Sequence, residues 1–273
     1  MPGKAAVAVH IQLASRKLTD SRRRNPPHTT HRVEFADLLR AILFDETGMV
    51  GQPHECHDTE MQRSFEAEIL DGGGQMPEML ERAHVALCRT HCLLGNHMAI
   101  LRALRRDGQA VRRVLDIGCG HGGLLEKVRR KMGAEVLGVD LRPPKSGAGA
   151  FPILKLDAVR EALPPADVAV SVCMVHHLHD EEFVEMIRNV GRTCRRFVIL
   201  DLVRHRVPLA LFSACAPLCL PRVNVLDGRQ SIRRAHTPEE FRALIARAVA
   251  GTGGSFRHSV APLWIRQMAD IRY

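Results

Sequence analysis

The sequence predicts an α/β protein: a doubly wound, mostly parallel sheet that ends in an antiparallel hairpin and is preceded by a helical N-terminal appendage. Three observations predict it. From residue 113 onward, short apolar runs alternate with segments of helical period, the order that builds a parallel sheet covered on both faces. The first of those runs leads into the glycine-rich turn "DIGCGHGG", residues 116–123, which calls for bare backbone between a strand and a helix. Two β-patterned stretches near the C-terminus lie close enough together to pair as a hairpin.

The elements follow in order. Residues 1–30 are basic, hold the pair Pro26-Pro27 and offer little to bury, so they are expected to be a disordered tail; an Arg- and Ser-rich organelle-targeting peptide is the alternative. Residues 31–108 are expected to form the helical appendage or cap. Apolar residues recur at helical spacing at Phe35, Leu38, Leu39, Ile42 and Leu43. A second helical region is broken by "DGGG" at 71–74 and resumes from Pro77 to Arg106. Residues 109–273 are expected to be the sheet domain. Its strands are "RRVLDIG", "AEVLGVD", "FPILKLD", "ADVAVSVC" and "RRFVILDL", then "SFRHSVAP" and "LWIRQMADI" for the hairpin. "LLEKVRRKM" and "DEEFVEMIRNVGR" are helices, and "TPEEFRALIARAV" opens on a capping box, with Thr237 as N-cap, Pro238 first and Glu240 third.

Composition bounds what this scaffold does. A chain of 273 residues with 45% hydrophobic and 25% charged residues is long enough for one large domain with an appendage. The net charge of +9 invites a nucleic-acid reading. Yet Lys4, Arg16, Lys17, Arg22, Arg23 and Arg24 against Asp20 place five of those charges in the tail, and one Trp and one Tyr leave few platforms for exposed bases. Eight cysteines without a signal peptide point to a reducing, cytoplasmic setting. The longest apolar stretch, "PLALFSACAPLCLP" at 208–221, would span roughly 20 Å as a helix, short of the ~30 Å hydrocarbon core, so no membrane span is expected.

Gly118, Gly120 and Gly123 satisfy a dinucleotide fingerprint, with Asp140 about twenty residues on, and that pattern alone fits NAD, FAD or S-adenosylmethionine. Asp116 discriminates. A pyrophosphate at the helix N-terminus would face this carboxylate, and two unit charges about 4 Å apart cost roughly 4 kcal/mol at an effective dielectric near 20. The same carboxylate suits a donor with an α-ammonium, a sulfonium and no phosphate.

Here the chain resembles the class I S-adenosylmethionine-dependent methyltransferases. "VLDIGCGHGG" is similar to their first motif, "VLGVDL" to the second, "LKLDA" to the third and "ADVAVSVCMVHHLHD" to the fourth. The resemblance runs from about residue 66 to about residue 270, and "RRFVILDLVRH" with "DGRQSIRRAHTPEE" resembles a bacterial subgroup of small-molecule methyltransferase-domain proteins. It implies a Rossmann-like fold, S-adenosyl-L-methionine as cofactor, and these roles. Asp116 and the backbone at Gly118, Cys119 and Gly120 would hold the methionine portion. Asp140 would take the ribose hydroxyls, with Leu141 on the adenine face. Asp157 and the Ala158 N–H would read the adenine edge, and Cys173 would line the floor beneath the sulfonium.

Methyl transfer is an in-line displacement in which the protein aligns the partners and excludes water. Where the acceptor must lose a proton, His176 or His177 of "MVHHLHD" is a candidate base; the pair equally suits a structural role at the start of the next helix. Asp201 and Arg204 are expected at the same sheet edge, and the apolar stretch 208–221 is either a core helix or a cap over the acceptor. The expected acceptor is therefore an O, N or C atom of a small, apolar metabolite. A nucleic-acid methyltransferase using the basic tail and a dinucleotide oxidoreductase are the alternatives. The turn after strand four has no Asn/Asp-Pro-Pro-aromatic pattern, which weighs against transfer to a base amine. Two His/Cys clusters, His54, Cys56 and His57, and His84, Cys88, His91 and Cys92, lack CxxC spacing, and no metal is expected.

Overall fold

The computed structural model describes residues 61–72, 77–106, 110–143 and 151–273. The expected tail at 1–30 and the helix expected around residues 33–44 lie outside the described residues. Two helices come first, α1 (Pro77–Leu93) and α2 (Asn96–Arg105). The sequence reads them as one; Gly95, at φ 70°, stands where the helical run breaks. Then follow β1 (Arg113–Ile117), α3 (Gly123–Met132), β2 (Glu135–Asp140), β3 (Ile153–Lys155), β4 (Ala166–Val172), α4 (Asp180–Gly191) and β5 (Cys194–Asp201). The chain closes with α5 (Arg206–Cys215), α6 (Arg222–Arg234), α7 (Pro238–Val249), β6 (Ser255–Val260) and β7 (Gln267–Arg272).

The seven strands form one sheet in the order β3-β2-β1-β4-β5-β7-β6. Strands β1 to β5 are parallel; β7 runs antiparallel to β5 and to β6, which makes the terminal hairpin. The order reverses between β2 and β4 on either side of β1, so the crevice outside the carboxyl ends of those strands is where a ligand belongs in such a sheet.

Alternation along the strands splits the core into two layers. Leu115, Ile117, Ala169, Phe197 and Ile199 pack with Phe183 and Ile187 of α4 and Phe241 and Ile245 of α7. Val114, Val168, Val170, Val198 and Leu200 face the other way, against Ile100, Leu101 and Leu104 of α2 and Leu124, Leu125 and Val128 of α3. The second apolar layer thus includes α2, on the N-terminal side of residue 109. Arg196, in β5, is bound by Asp270 of β7 through two contacts of 2.8 and 2.7 Å and donates to the Ala103 carbonyl at 2.8 Å.

The capping box at α7 forms as the sequence predicts, with the Glu240 N–H donating to Thr237 Oγ1 and the Thr237 N–H to the Glu240 carboxylate. The apolar stretch 208–221 is neither a membrane span nor a core helix. It becomes α5 and a short turn at Ala216–Leu218, with only Pro208 and Ala216 buried and Leu218 80% exposed. Among the described residues no helix is long and apolar enough to cross a membrane.

Candidate active site

The glycine turn is built by backbone constraints on both of its sides. The N–H groups of Gly118 and Cys119 donate to the Val139 carbonyl at 2.9 and 3.3 Å, which ties the turn to β2. Gly118 leaves room for Met174, whose Cγ a Cβ would meet at 2.5 Å. At Gly122, φ is 71° and a Cβ would stand 2.5 Å from the Phe151 ring; this residue, the N-cap of α3, is the third left-handed glycine of the turn. The fingerprint reading assigned that place to Gly123, whose Cβ would meet only ordinary contacts. Gly120 differs from its neighbours: φ is 52°, yet no atom lies within 4 Å of where its Cβ would stand. Bare backbone there faces open space, as a cradle for a ligand requires.

Two carboxylates meet at this turn. Asp116 is the penultimate residue of β1, beside Gly138 and Val170 in the sheet register, and is 3% exposed. Burial first and the charge of Asp140 second push its carboxyl up to about 8, and among the described residues no cation offsets them. Asp140, at the end of β2, accepts from the Gly120 N–H at 2.8 Å and from the Arg142 N–H at 2.8 Å. Burial, Asp116 and Asp140 also push the Cys119 thiol well above its ordinary value.

The other expected contacts are spread along the same edge. Leu141 is 58% exposed. Asp157, past the end of β3, accepts from the Val159 N–H at 2.9 Å and pairs with Arg160 at 3.2 Å, which closes its own turn. Ala158 packs against the core and its carbonyl accepts from Asn189 at 2.9 Å. Cys173 follows β4 with φ 51°, a left-handed conformation uncommon for a side-chain-bearing residue, and its N–H donates to the Leu200 carbonyl at 2.8 Å. Its thiol is raised by burial and lies 3.8 Å from Asn96 Nδ2. Asn96 also stands 3.1 Å from His91 Nδ1 and accepts from Arg266 at 3.0 Å, so the start of α2 and the approach to β7 both reach the floor of the crevice.

His176 and His177 form a short turn beyond Cys173, their ring centroids 4.3 Å apart. His176 is 3% exposed; Asp201, at the end of β5, lies 2.7 Å from its Nδ1 and accepts from its backbone N–H at 2.9 Å. Burial opposes ionisation of Asp201, but His176 and the Leu202 N–H hold its carboxyl below the ordinary value. Asp71 lies 3.2 Å from His177 Nδ1. Both rings turn Nε2 toward Glu68 Oε1, at 3.7 Å from His176 and 3.9 Å from His177. Burial raises the Glu68 carboxyl above its ordinary value. Arg204, expected to point into the site, is instead buried in packing: it donates to the Met61 and Ala235 carbonyls and pairs with Glu240.

Glu68 and Asp71 belong to a strap, residues 61–72; the sequence reads this stretch as the start of a helical region, but it is irregular, with a single short turn at Ile69–Asp71, because its backbone is anchored to α6 instead of to itself. Its anchors are long-range. The Ile69 and Leu70 N–H groups donate to the Asp227 carboxylate at 2.8 and 2.9 Å, and Gln230 donates to the Glu66 carbonyl at 2.8 Å. Arg142, just past Asp140, donates to the Asp71 carbonyl at 2.6 Å. The strap therefore runs from α6 to the residues that follow β2. Of the His/Cys clusters, His54, Cys56 and His57 lie outside the described residues, as do the side chains of His84 and Cys92. Cys88 is half-buried, and burial lowers His91 to about 4.

A family model described as a methyltransferase domain matches residues 114–196, from β1 into β5. Residues 114–196 carry a methyltransferase domain. No curated protein matches the methyltransferase in sequence. Solved structures share its fold. The plantazolicin methyltransferase BpumL, in complex with a monoazolic desmethylPZN analog and SAH, superposes with a TM-score of 0.55 at 13% identity, covering 72% of this chain and 90% of that one. The same protein with a triazolic analog gives 0.56 at 14% identity, over 72% and 91%. The plantazolicin methyltransferase BamL gives 0.50 at 12% identity, over 70% and 95%. Identities this low establish the shared architecture and nothing finer.

The crevice of this methyltransferase suits S-adenosylmethionine on its own chemistry. Gly120 leaves space for a ligand, and two carboxylates with no cation beside Asp116 among the described residues favour a positive ligand over a pyrophosphate.

Proposed function

We propose that the chain moves the methyl group of S-adenosyl-L-methionine to an O, N or C atom of a small, apolar metabolite. One observation carries the reading: the buried carboxylate of Asp116, next to Asp140 and with no offsetting cation among the described residues, at a glycine turn with room for a ligand. When bound, S-adenosylmethionine supplies an electrophilic methyl group on a sulfonium. The chain's own residues then bind and orient it. Asp116 receives the α-ammonium while the backbone of Gly118, Cys119 and Gly120 lines the methionine portion. Asp140 turns from the Gly120 N–H toward the ribose hydroxyls. Leu141, Asp157 and Ala158 frame the adenine, and Cys173 forms the floor.

The acceptor side is assigned to His176 and His177, walled by α1 and α2 through His91 and Asn96. A bare imidazole base needs its Nε2 free to reach the acceptor, and here both Nε2 atoms are turned to Glu68. The apolar character of the acceptor rests on Leu211, Leu218 and Trp264, which stay exposed around α5 and the entry to β7. The eight cysteines of a chain long enough to fold without disulfides suit a reducing cytoplasm.

Methyl-tritiated S-adenosylmethionine, incubated with the protein and an extract of cellular metabolites, tests the reading. Label is expected in the small-molecule fraction and is lost in Asp140→Ala. Label confined to RNA would transfer the assignment to a nucleic-acid methyltransferase, and no transfer to any fraction would overturn it.

A further inference from the structure

Glu68, His176 and His177 are brought together from two separated segments, and their nearest donor atoms lie within 4.8 Å of one another. Each imidazole has its Nδ1 against a carboxylate, His176 against Asp201 at 2.7 Å and His177 against Asp71 at 3.2 Å. An Nδ1–H donating to a carboxylate leaves the Nε2 lone pair as the outward group. Two such lone pairs and an anionic oxygen therefore converge on one point. Ser231 Oγ, 2.7 Å from Glu68 Oε1, is the only donor recorded to that oxygen among the described residues. Three acceptors facing one another repel unless something positive lies between them.

We propose that Glu68 Oε1, His176 Nε2 and His177 Nε2 form a binding site for a first-row divalent metal ion, with Asp201 and Asp71 orienting the two imidazoles from behind. Two imidazoles and one carboxylate are a donor set for zinc, iron or manganese and a poor one for magnesium, which takes oxygen ligands. Carboxylates on the far nitrogens are the usual outer partners of metal-bound histidines. Donors around such an ion stand roughly 3.0–3.4 Å apart, and the two Nε2–Oε1 distances, 3.7 and 3.9 Å, close to that with about half an ångström of movement. The nearby cation, Arg234, pairs with Asp71 at 3.3 Å and acts on Glu68 only as the weakest of its charge influences. Glu68 and the buried Asp201 remain to balance a dication. Three protein donors leave coordination positions open for oxygen atoms of an acceptor, a role that rests on the methyl-transfer reading; metal uptake itself does not.

The test uses the full chain, stripped with a chelator and titrated calorimetrically with Zn²⁺ and Mn²⁺, with Co²⁺ absorption as a second readout of the ligand field. One ion per chain is expected. Glu68→Gln and the half-exposed His177→Gln should each weaken uptake at least tenfold and alter the Co²⁺ spectrum, and Asp71→Asn should weaken it about ten- to a hundredfold. Binding of S-adenosylhomocysteine, measured on the same samples, shows that each variant is folded and reads the donor site separately. No uptake, or uptake unchanged in both Glu68→Gln and His177→Gln, overturns the metal site even if the donor site is intact.

Discussion

Replacing Asp116 by Asn removes one charge from the donor site while keeping its shape. In the protein alone the carboxyl is raised to about 8, so at pH 7 its ionisation costs about 1.4 kcal/mol. A contact pair of unit charges at an effective dielectric of about 20 returns about 4 kcal/mol. The difference, about 2.5 kcal/mol, corresponds to roughly a seventyfold loss of affinity in Asp116→Asn. The pH dependence is the sharper signature. Because the wild-type carboxyl gives up a proton when a cation binds, the affinity for S-adenosylhomocysteine should rise about tenfold per pH unit between roughly pH 6 and 7.5. In Asp116→Asn it should be nearly flat. Stability moves oppositely. The value in the folded protein lies above the ordinary 3.8, so the contribution of Asp116 is present below about pH 4 and lost as pH rises through about 8. The variant should therefore melt above wild type at pH 8.5. Isothermal titration across this range, with an analogue lacking the α-amino group as control, reads the effect. Wild-type affinity and an unchanged slope in Asp116→Asn would refute the reasoning.

Other consequences are tested more simply. Gly120→Ala meets no neighbour and costs only about 1–2 kcal/mol of backbone strain, so it should fold and lose donor binding; Gly122→Ala drives a methyl into Phe151 and should lower Tm far more. Asp270→Ala removes the carboxylate that pairs with the largely buried Arg196 and should destabilise by about 3–5 kcal/mol in urea unfolding. Burial holds His97 down to about 3 and His236 down to about 4. Both stay neutral where the unfolded chain takes up protons, so their contribution is lost as pH falls from about 6.5 toward 4. Melting curves should show Tm dropping over that interval, and less steeply in His236→Gln.

The strands were legible because each is an apolar run bounded by turn residues, and burial on both faces demands that pattern. Thr237 and Glu240 announced their helix start in the same local way. The cap of α4 was not legible: His179, whose N–H donates to Glu182 at 3.0 Å, is not among the side chains that ordinarily mark a helix start. Asp116, Asp140 and the glycine turn could be read together because their spacing is fixed by one strand–turn–helix unit. The strap could not. Glu68 meets His176 and His177 across more than a hundred residues of chain, and "FEAEILD", which reads as helical, gives no sign that its backbone will be held by α6 instead. The pairing of Asp201 with His176 is likewise a product of β4 lying beside β5. Exposure of 208–221 runs against its composition, since apolar content alone does not say which side of a helix the sheet will cover.

The account stands on a donor site made for a cationic, phosphate-free ligand, and equilibrium titration tests that most directly. Purified protein should bind S-adenosylmethionine and S-adenosylhomocysteine, fail to bind NADH, and lose both ligands in Asp140→Ala. Binding of NADH together with indifference to S-adenosylhomocysteine would contradict it.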